Sequence, residues 1–153
     1  MKNEFFECAQ KLELSDLLEV ESRLGISLPD DFKDHYLEYN GGVPQRSCWE
    51  YMEGEYYEIA DFKPIKYSSS DEESLSIYDT VEGTYTKYLE DKLIDKDYLP
   101  FANDWGGNYF CINLKNNNII FYAMDTDVKP IKILTNGFTN FLENLVRCED
   151  EED

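Results

Sequence analysis

The sequence predicts one α+β domain, with helices at both ends of the chain and strands grouped between them. Apolar side chains recur at helical spacing over residues 14–39 and again over residues 138–145. Between these segments, residues 109–124 alternate on both sides of a short polar turn, a pattern typical of a β-hairpin. Because helical and strand segments are segregated along the chain, an alternating parallel α/β fold is disfavoured.

The first helix is predicted over residues 14–24. Its apolar stripe consists of Leu14, Leu17, Leu18, Val20 and Leu24. Ser15 is the predicted N-cap, and Asp16 lies near the positive end of the helix dipole. Gly25 follows as the residue at which the helix ends.

A second helix is predicted to start at Leu28-Pro29, since proline suits the first helical position. Its apolar side carries Phe32, His35, Tyr36 and Tyr39 at helical spacing. Asn40-Gly41-Gly42 then ends the helix, because these residues tolerate a left-handed backbone.

The middle of the chain carries weaker patterns. Residues 57–62 are strand-like, and Pro64 places that strand at an edge or an end. Residues 68–73 are predicted to form a loop that caps a third helix, over roughly residues 72–90. Gly83 is an unfavourable residue inside that helix.

The last third of the chain has the clearest strand pattern. After the hairpin, a short strand is predicted over residues 131–134. The final helix has one apolar side, formed by Phe138, Phe141, Leu142 and Leu145. No repeat or Pro/Gly/Ser-rich linker divides the 153 residues, so we expect a single domain over residues 1–148 and an acidic tail over residues 149–153.

Net charge excludes some classes of function. The chain has 33 Asp and Glu against 14 Lys and Arg, which gives a formal charge of −19. Such a surface repels nucleic-acid phosphates and anionic membranes and attracts basic proteins. We therefore expect no direct contact with nucleic acid or membrane, and a basic partner.

The termini and the cysteines favour a cytoplasmic location. The first residues include Glu4 and Glu7 where a signal peptide needs an apolar run, and no segment approaches the roughly 20 apolar residues of a membrane span. The four cysteines are scattered without C-x-x-C spacing, and a domain with its own core does not need disulfides. We expect all four thiols to be reduced.

Candidate catalytic groups are few. His35 is the one histidine and could act as a general base, but its place on an apolar helix face favours a packed side chain. Asp61, Asp104 and Asp125 follow or end predicted strands and could converge on a metal, although Asp is also an ordinary turn residue. Residues 105–108, Trp-Gly-Gly-Asn, lack the Lys and Ser/Thr of a phosphate-binding loop and are predicted to form a turn.

An acidic and aromatic segment is the strongest candidate for binding. No Lys or Arg occurs between Arg46 and Lys63, whereas acids alternate with aromatic residues throughout. Aromatic rings supply stiff contact area, and carboxylates steer and pair with a basic partner. The predicted partner-binding residues are Tyr51, Glu53, Glu55, Tyr56, Tyr57 and Glu58. The alternative is a solvated loop whose aromatic rings turn inward.

Three ordered segments resemble the SUKH superfamily, also called the Smi/Knr family. Residues 28–33 (Leu-Pro-Asp-Asp-Phe-Lys) leading to residues 40–44 (Asn-Gly-Gly-Val-Pro) are similar to its first motif. Residues 100–112 contain an apolar strand, Asp-Trp-Gly-Gly-Asn and a second strand, which is similar to its second motif. Residues 138–145 are similar to its closing helix. The resemblance implies a central, mostly antiparallel sheet flanked by helices.

The resemblance also implies a function. Bacterial SUKH proteins are immunity proteins that bind and neutralise a cognate toxin, often a nuclease, whereas fungal members act as regulators through protein contacts. The leading hypothesis is therefore a non-enzymatic immunity protein that occludes a basic toxin stoichiometrically and needs no cofactor. A regulatory adaptor is the alternative, and a carboxylate-metal hydrolase ranks last.

Overall fold

The computed structural model describes residues 2–67, 79–124 and 131–148. The elements follow in the order β1 (Phe5–Phe6), α1 (Leu14–Leu24), α2 (Asp30–Glu38), β2 (Val43–Pro44), β3 (Cys48–Met52), β4 (Glu55–Glu58), β5 (Asp61–Phe62), α3 (Val81–Glu90), β6 (Tyr98–Asn103), β7 (Tyr109–Asn113), β8 (Asn118–Tyr122), β9 (Ile131–Asn136) and α4 (Phe138–Asn144). Helices thus lie at both ends of the chain, and the α+β class is confirmed.

The centre of the fold is an antiparallel sheet with the strand order β5-β6-β7-β8-β9. Successive side chains of β7 point to opposite sides of the sheet, and its first four residues are all buried. Both faces of this strand are therefore covered. Phe110 faces α4, with its ring centroid 6.0 Å from that of Phe141. On the other face, the ring of Tyr109 lies 5.4 Å from that of Tyr88 on α3. The predicted hairpin of residues 109–124 is β7 and β8.

Helix α1 has the predicted bounds but a different cap. Glu13, not Ser15, is the N-cap, and it forms a capping box in which the Glu13 N–H donates to Asp16 Oδ2 at 2.9 Å. Gly25 ends the helix in the left-handed conformation, as predicted. Only part of the predicted stripe is buried, because the helix packs on one narrow side: Leu17 and Val20 are buried, whereas Leu14 and Leu18 are about half exposed.

Helix α2 begins one residue later than predicted, since Pro29 is its N-cap. Asn40, which follows this helix, forms hydrogen bonds with the backbone of two distant segments, at Gln10 and Ile65. The Asn40 amide donates to Gln10 O (2.8 Å) and Ile65 O (3.0 Å), and its Oδ1 accepts from Ile65 N (2.7 Å). A side chain on Gly41 would lie 2.7 Å from the Pro64 backbone, and one on Gly42 would lie 2.5 Å from Phe6 O. The Asn-Gly-Gly segment therefore allows close approach of backbones as well as ending the helix.

The prediction of one continuous strand over residues 57–62 is wrong. It is divided between β4, which pairs with β3 in a separate two-stranded sheet, and β5, which pairs with β6 at the edge of the central sheet. The chain changes sheets at Ile59 and Ala60, both of which are buried. Strand β3 was not predicted, since its residues do not alternate in polarity.

The predicted third helix is partly confirmed. Helix α3 covers Val81–Glu90, and its N-cap is Thr80, whose Oγ1 accepts from Gly83 N at 3.1 Å. The loop and first residues predicted over 68–78 lie outside the described residues, as does the acidic tail over 149–153. In the part of the chain that is described, no helix combines the length and the apolar character needed to cross a membrane.

The cysteines correct one expectation. Cys48 and Cys148 form a disulfide, with their Cα atoms 5.2 Å apart, whereas Cys8 and Cys111 are free. Backbone pairing brings the two together: Cys48 N donates to Val146 O at 2.9 Å, and Val146 N donates to Cys48 O at 2.8 Å. The two cysteines are 100 positions apart in the sequence, so no local pattern indicates that they are close in space. The cysteines consequently give no support to the predicted cytoplasmic location.

Alkylation tests the disulfide. We expect iodoacetamide to modify two cysteines, Cys8 and Cys111, when the protein is denatured without reductant, and all four after reduction. Peptide mass spectrometry identifies the sites. Because the bond closes a loop of about 100 residues, its reduction should lower the free energy of unfolding by about 2–4 kcal/mol. Four modified cysteines without reductant would contradict the pairing.

Asn40→Ala tests the corner after α2. The substitution leaves the buried Ile65 N–H without its acceptor, removes the Asn40 donor from the Gln10 carbonyl, and removes one of the two donors of the Ile65 carbonyl, which also accepts from Tyr67 N. We expect the free energy of unfolding in urea to fall by about 2–3 kcal/mol. Asn144→Ala is the matched control, because Asn144 is exposed and its amide donates to Asn140 of the same helix, α4. This substitution should cost less than about 0.5 kcal/mol. Equal effects of the two substitutions would show that Asn40 is not a structural link.

Candidate functional site

The predicted binding residues lie on the β3–β4 hairpin. Its strands pair Trp49 with Tyr57 and Glu50 with Tyr56, and Glu53 and Gly54 form the connecting turn. The hairpin is a sheet of its own. The predicted residues are therefore close in space, but on a two-stranded ribbon whose two faces differ.

The inner face of the hairpin packs on the core. Trp49 is buried and stacks on Phe141 of α4, with ring centroids 5.3 Å apart. Tyr57 stacks on Phe121 of β8 at 4.4 Å, with 15° between the ring planes. Tyr51 lies beside Tyr57, at 5.7 Å. Two of the three predicted tyrosines thus turn inward, as the alternative interpretation of this segment anticipated.

The outer face and the turn carry the exposed acids. Glu50, Glu53 and Glu58 are exposed, and Tyr56 is half-buried between them. Met52, beside the turn, is 59% exposed and adds apolar contact area. The structure therefore separates the predicted set, with Glu53, Tyr56 and Glu58 on the solvent side.

Lys132 on β9 was missed by sequence reasoning and lies against the inner part of the hairpin. Its Nζ donates to the Tyr57 hydroxyl at 2.7 Å and lies 3.4 Å from Glu55 Oε2. The Tyr57 hydroxyl in turn donates to Glu55 at 3.0 Å. Nothing in the sequence indicates the contact, because Lys132 is 77 residues from Glu55.

The electrostatics of the hairpin follow from this contact. The hydrogen bond to Tyr57 raises the pKa of the Lys132 ammonium, which remains charged at neutral pH. Burial raises the pKa of the Tyr57 phenol, although the bond from Lys132 opposes that effect. Among the ion pairs of the described residues, Lys132–Glu55 is the one that involves an acid of the hairpin. The exposed carboxylates of Glu50, Glu53 and Glu58 therefore give the outer face a strong negative field.

His35 is a packed side chain, as the residue pattern favoured. Its ring lies 4.7 Å from Phe5, 5.4 Å from Phe138 and 5.8 Å from Phe62. Burial lowers its pKa to about 4, so the ring is neutral at pH 7. Its Nε2 atom is buried and accepts or donates no hydrogen bond among the described residues. These contacts account for His35 as a packed core side chain and give no support to a role as a general base.

The surface near His35 contains a cleft of about 700 Å³ between α2, α4 and the N-terminal segment. Three of the charged residues that line it make contacts across it. Lys2 forms an ion pair with Glu38, and Asp31 accepts hydrogen bonds from the N–H (3.0 Å) and Oγ1 (3.1 Å) of Thr139. These contacts join α2 to α4 and to the N-terminal segment.

Of the three aspartates considered as metal ligands, Asp104 has a structural role. Asp104 Oδ1 accepts from Gly106 N (2.9 Å) and Asn108 N (2.8 Å), so this carboxylate organises the turn between β6 and β7. Asp61 lies on β5, where burial raises its pKa. Asp125 lies outside the described residues. The turn at residues 105–108 is as predicted, with Trp105 76% exposed at its tip.

One group of possible metal ligands occurs among the described residues. Ligand atoms of Cys48, Glu58 and Cys148 lie within 4.8 Å of one another. The two sulfurs are bonded to each other, and a disulfide sulfur is not the thiolate that binds zinc or other soft metals. The group is therefore accounted for by the disulfide.

The structure defines an α+β domain with an antiparallel central sheet, flanking helices and an attached acidic hairpin. Residues 11–144 match the model of the SMI1 / KNR4 family (SUKH-1), and the chain belongs to that family. The chain is also similar to the SPbeta prophage-derived uncharacterized protein YokK of Bacillus subtilis (strain 168). The two are 27% identical over 148 aligned positions, and the match covers 85% of this chain and 72% of that protein. SUKH proteins are generally immunity proteins rather than enzymes, and membership is consistent with that role.

His35→Phe tests the buried histidine. A folded pKa near 4 against an unfolded value near 6.5 means that the unfolded chain takes up the proton first as pH falls. The stability due to neutral His35 is therefore fully present above about pH 6.5 and is lost between 6.5 and 4, by up to about 3 kcal/mol. We expect His35→Phe to flatten the dependence of unfolding free energy on pH over this window, measured by urea denaturation. Parallel pH profiles for wild type and variant would contradict the assignment.

Proposed function

We propose that the protein is an immunity protein that binds a cognate bacterial toxin and neutralises it by occupying the toxin's active or substrate-binding surface. The observation that carries this proposal is the acidic outer face of the β3–β4 hairpin in a chain of the SUKH family. Occupancy alone explains the effect, so the proposed protein forms a stoichiometric complex and catalyses no reaction.

Charge supports a basic partner. A nuclease toxin holds phosphates in a basic cleft, and a domain with a net charge of −19 is attracted to such a cleft from a distance. Opposite fields raise the association rate, and salt reduces that gain. In the proposed complex, carboxylates of the hairpin turn occupy the positions in the toxin's cleft at which the phosphates of its substrate would bind.

The hairpin is also held in a fixed position for binding. The disulfide anchors Cys48 at its start, the Trp49 ring stacks on Phe141, and the Tyr57 ring stacks on Phe121. A surface that is already ordered loses little conformational entropy on binding. A stable complex buries roughly 800 Å² on each partner, so the hairpin would form the centre of a larger contact area.

Co-expression tests the proposal. The toxin domain encoded directly before this gene is expressed with and without the protein, and we expect growth to be restored and a one-to-one complex to be isolated. The complex should weaken as NaCl rises from 50 to 500 mM. Absence of both rescue and complex would overturn the proposal.

Charge reversal on the hairpin tests the surface. We expect Glu53→Lys combined with Glu58→Lys to lower the affinity for the toxin domain at least tenfold, because both carboxylates are exposed on the outer face. Glu4→Lys with Glu90→Lys is the matched control, since both residues are exposed, lie outside the hairpin and change the net charge equally. Equal affinities of the two double variants would remove the hairpin from the interface.

A further inference from the structure

The inner part of the hairpin surrounds the Lys132 ammonium on several sides. Lys132 Nζ lies 5.3 Å from the ring centroid of Tyr51 and 5.5 Å from that of Tyr57, both within the range of a cation–π contact. The two ring planes are inclined by 56°, so they form adjoining walls. The Glu55 carboxylate, 3.4 Å from Nζ, supplies the opposite charge. We call Tyr51, Glu55 and Tyr57 the cation cage.

The cage is held by contacts that do not involve Lys132. Tyr57 is stacked on Phe121 of the central sheet, and its hydroxyl donates to Glu55 at 3.0 Å, which orients the carboxylate. Tyr51 is placed by its position on β3, next to the buried Trp49. The walls would therefore keep their positions if the ammonium left.

The occupant, in contrast, is exchangeable. The side chains of Lys132 and Glu55 are 47% and 42% exposed, so water reaches the pair. An exposed ion pair contributes little to stability, and a lysine side chain is long and flexible. Lys132 also comes from β9, which pairs only with β8 among the described strands and so lies at an edge of the sheet. The ammonium can return to solvent without disturbing the fold.

We infer that the cation cage is a binding site for a basic side chain of the partner, and that Lys132 occupies it in the free protein until an arginine or lysine takes its place. The partner's part in this inference rests on the proposed function. Residues 47–62 contain no Lys or Arg, so the hairpin itself supplies no cation. An arginine fits best, because a guanidinium can stack on a tyrosine ring and bind a carboxylate through two N–H groups.

The cage can be tested without any toxin. Lys132→Ala empties it, and the probe is N-acetyl-arginine methylamide, a single cation, titrated at constant ionic strength. Binding is followed through the NMR signals of the Tyr51 and Tyr57 rings. We expect saturable binding at least tenfold tighter than to wild type, and none with the neutral citrulline analogue.

Two variants control this measurement. Lys115→Ala removes the same charge from an exposed side chain at the β7–β8 turn, and it should bind the probe no better than wild type. Adding Glu55→Gln to Lys132→Ala should weaken probe binding at least fivefold, because the carboxylate is lost while the rings remain. Equal probe binding by the Lys132→Ala and Lys115→Ala variants would overturn the inference.

The toxin complex then provides a separate result. If the partner's cation displaces Lys132, Lys132→Ala should bind the toxin domain several-fold more tightly than Lys115→Ala. If the probe binds the emptied cage but the toxin neither binds nor is neutralised, the proposed function fails and the cation cage stands. If the toxin is neutralised but Lys132→Ala gives no gain over Lys115→Ala, the cage is not where the partner's side chain binds, and that part of the inference fails.

Discussion

The aromatic core between the two ends of the chain is the contact on which the rest of the structure depends. Phe32 on α2 and Phe138 on α4 lie 4.8 Å apart, and Phe138 lies 5.2 Å from Phe101 on the sheet. All three rings are completely buried. Burial of side chains of this size is the largest favourable term available to a domain of this length. It holds α2 and α4 on one face of the sheet.

The hairpin extends that core outward. Trp49 stacks on Phe141 of the core, and Tyr57 stacks on Phe121. The hairpin is therefore attached to the core by stacked rings as well as by the disulfide. Its inner face is consequently held in place by aromatic packing, and its outer face can be acidic at little cost to folding. Packing contacts with the core and the exposed carboxylates of Glu50, Glu53 and Glu58 thus lie on opposite faces of two short strands. This division explains how so acidic a chain keeps a well-packed interior.

Local patterns predicted the elements whose environment is simple. Residues 14–24 and 109–122 were predicted well, because one apolar stripe or one alternating run is enough to define them. Strand β3 and the division between β4 and β5 were missed, because these residues pack in an irregular place where the chain leaves one sheet for another. The N-cap at Glu13 was missed because a capping box with Asp16 competes locally with the more usual serine. The six residues predicted to bind a partner lie together on one hairpin, but neither that hairpin nor its division into an inner and an outer face was predicted.

The sequence by itself determined the fold class, the negative charge, the position of the acidic segment and the resemblance to the SUKH family. These properties depend on composition, on short-range periodicity and on ordered motifs, all of which are visible along the chain. Only the tertiary structure decided the Cys48–Cys148 disulfide and the approach of Lys132 to Tyr57 and Glu55. Each joins residues 75 or more positions apart, and such contacts depend on how the sheets and helices pack rather than on any local preference.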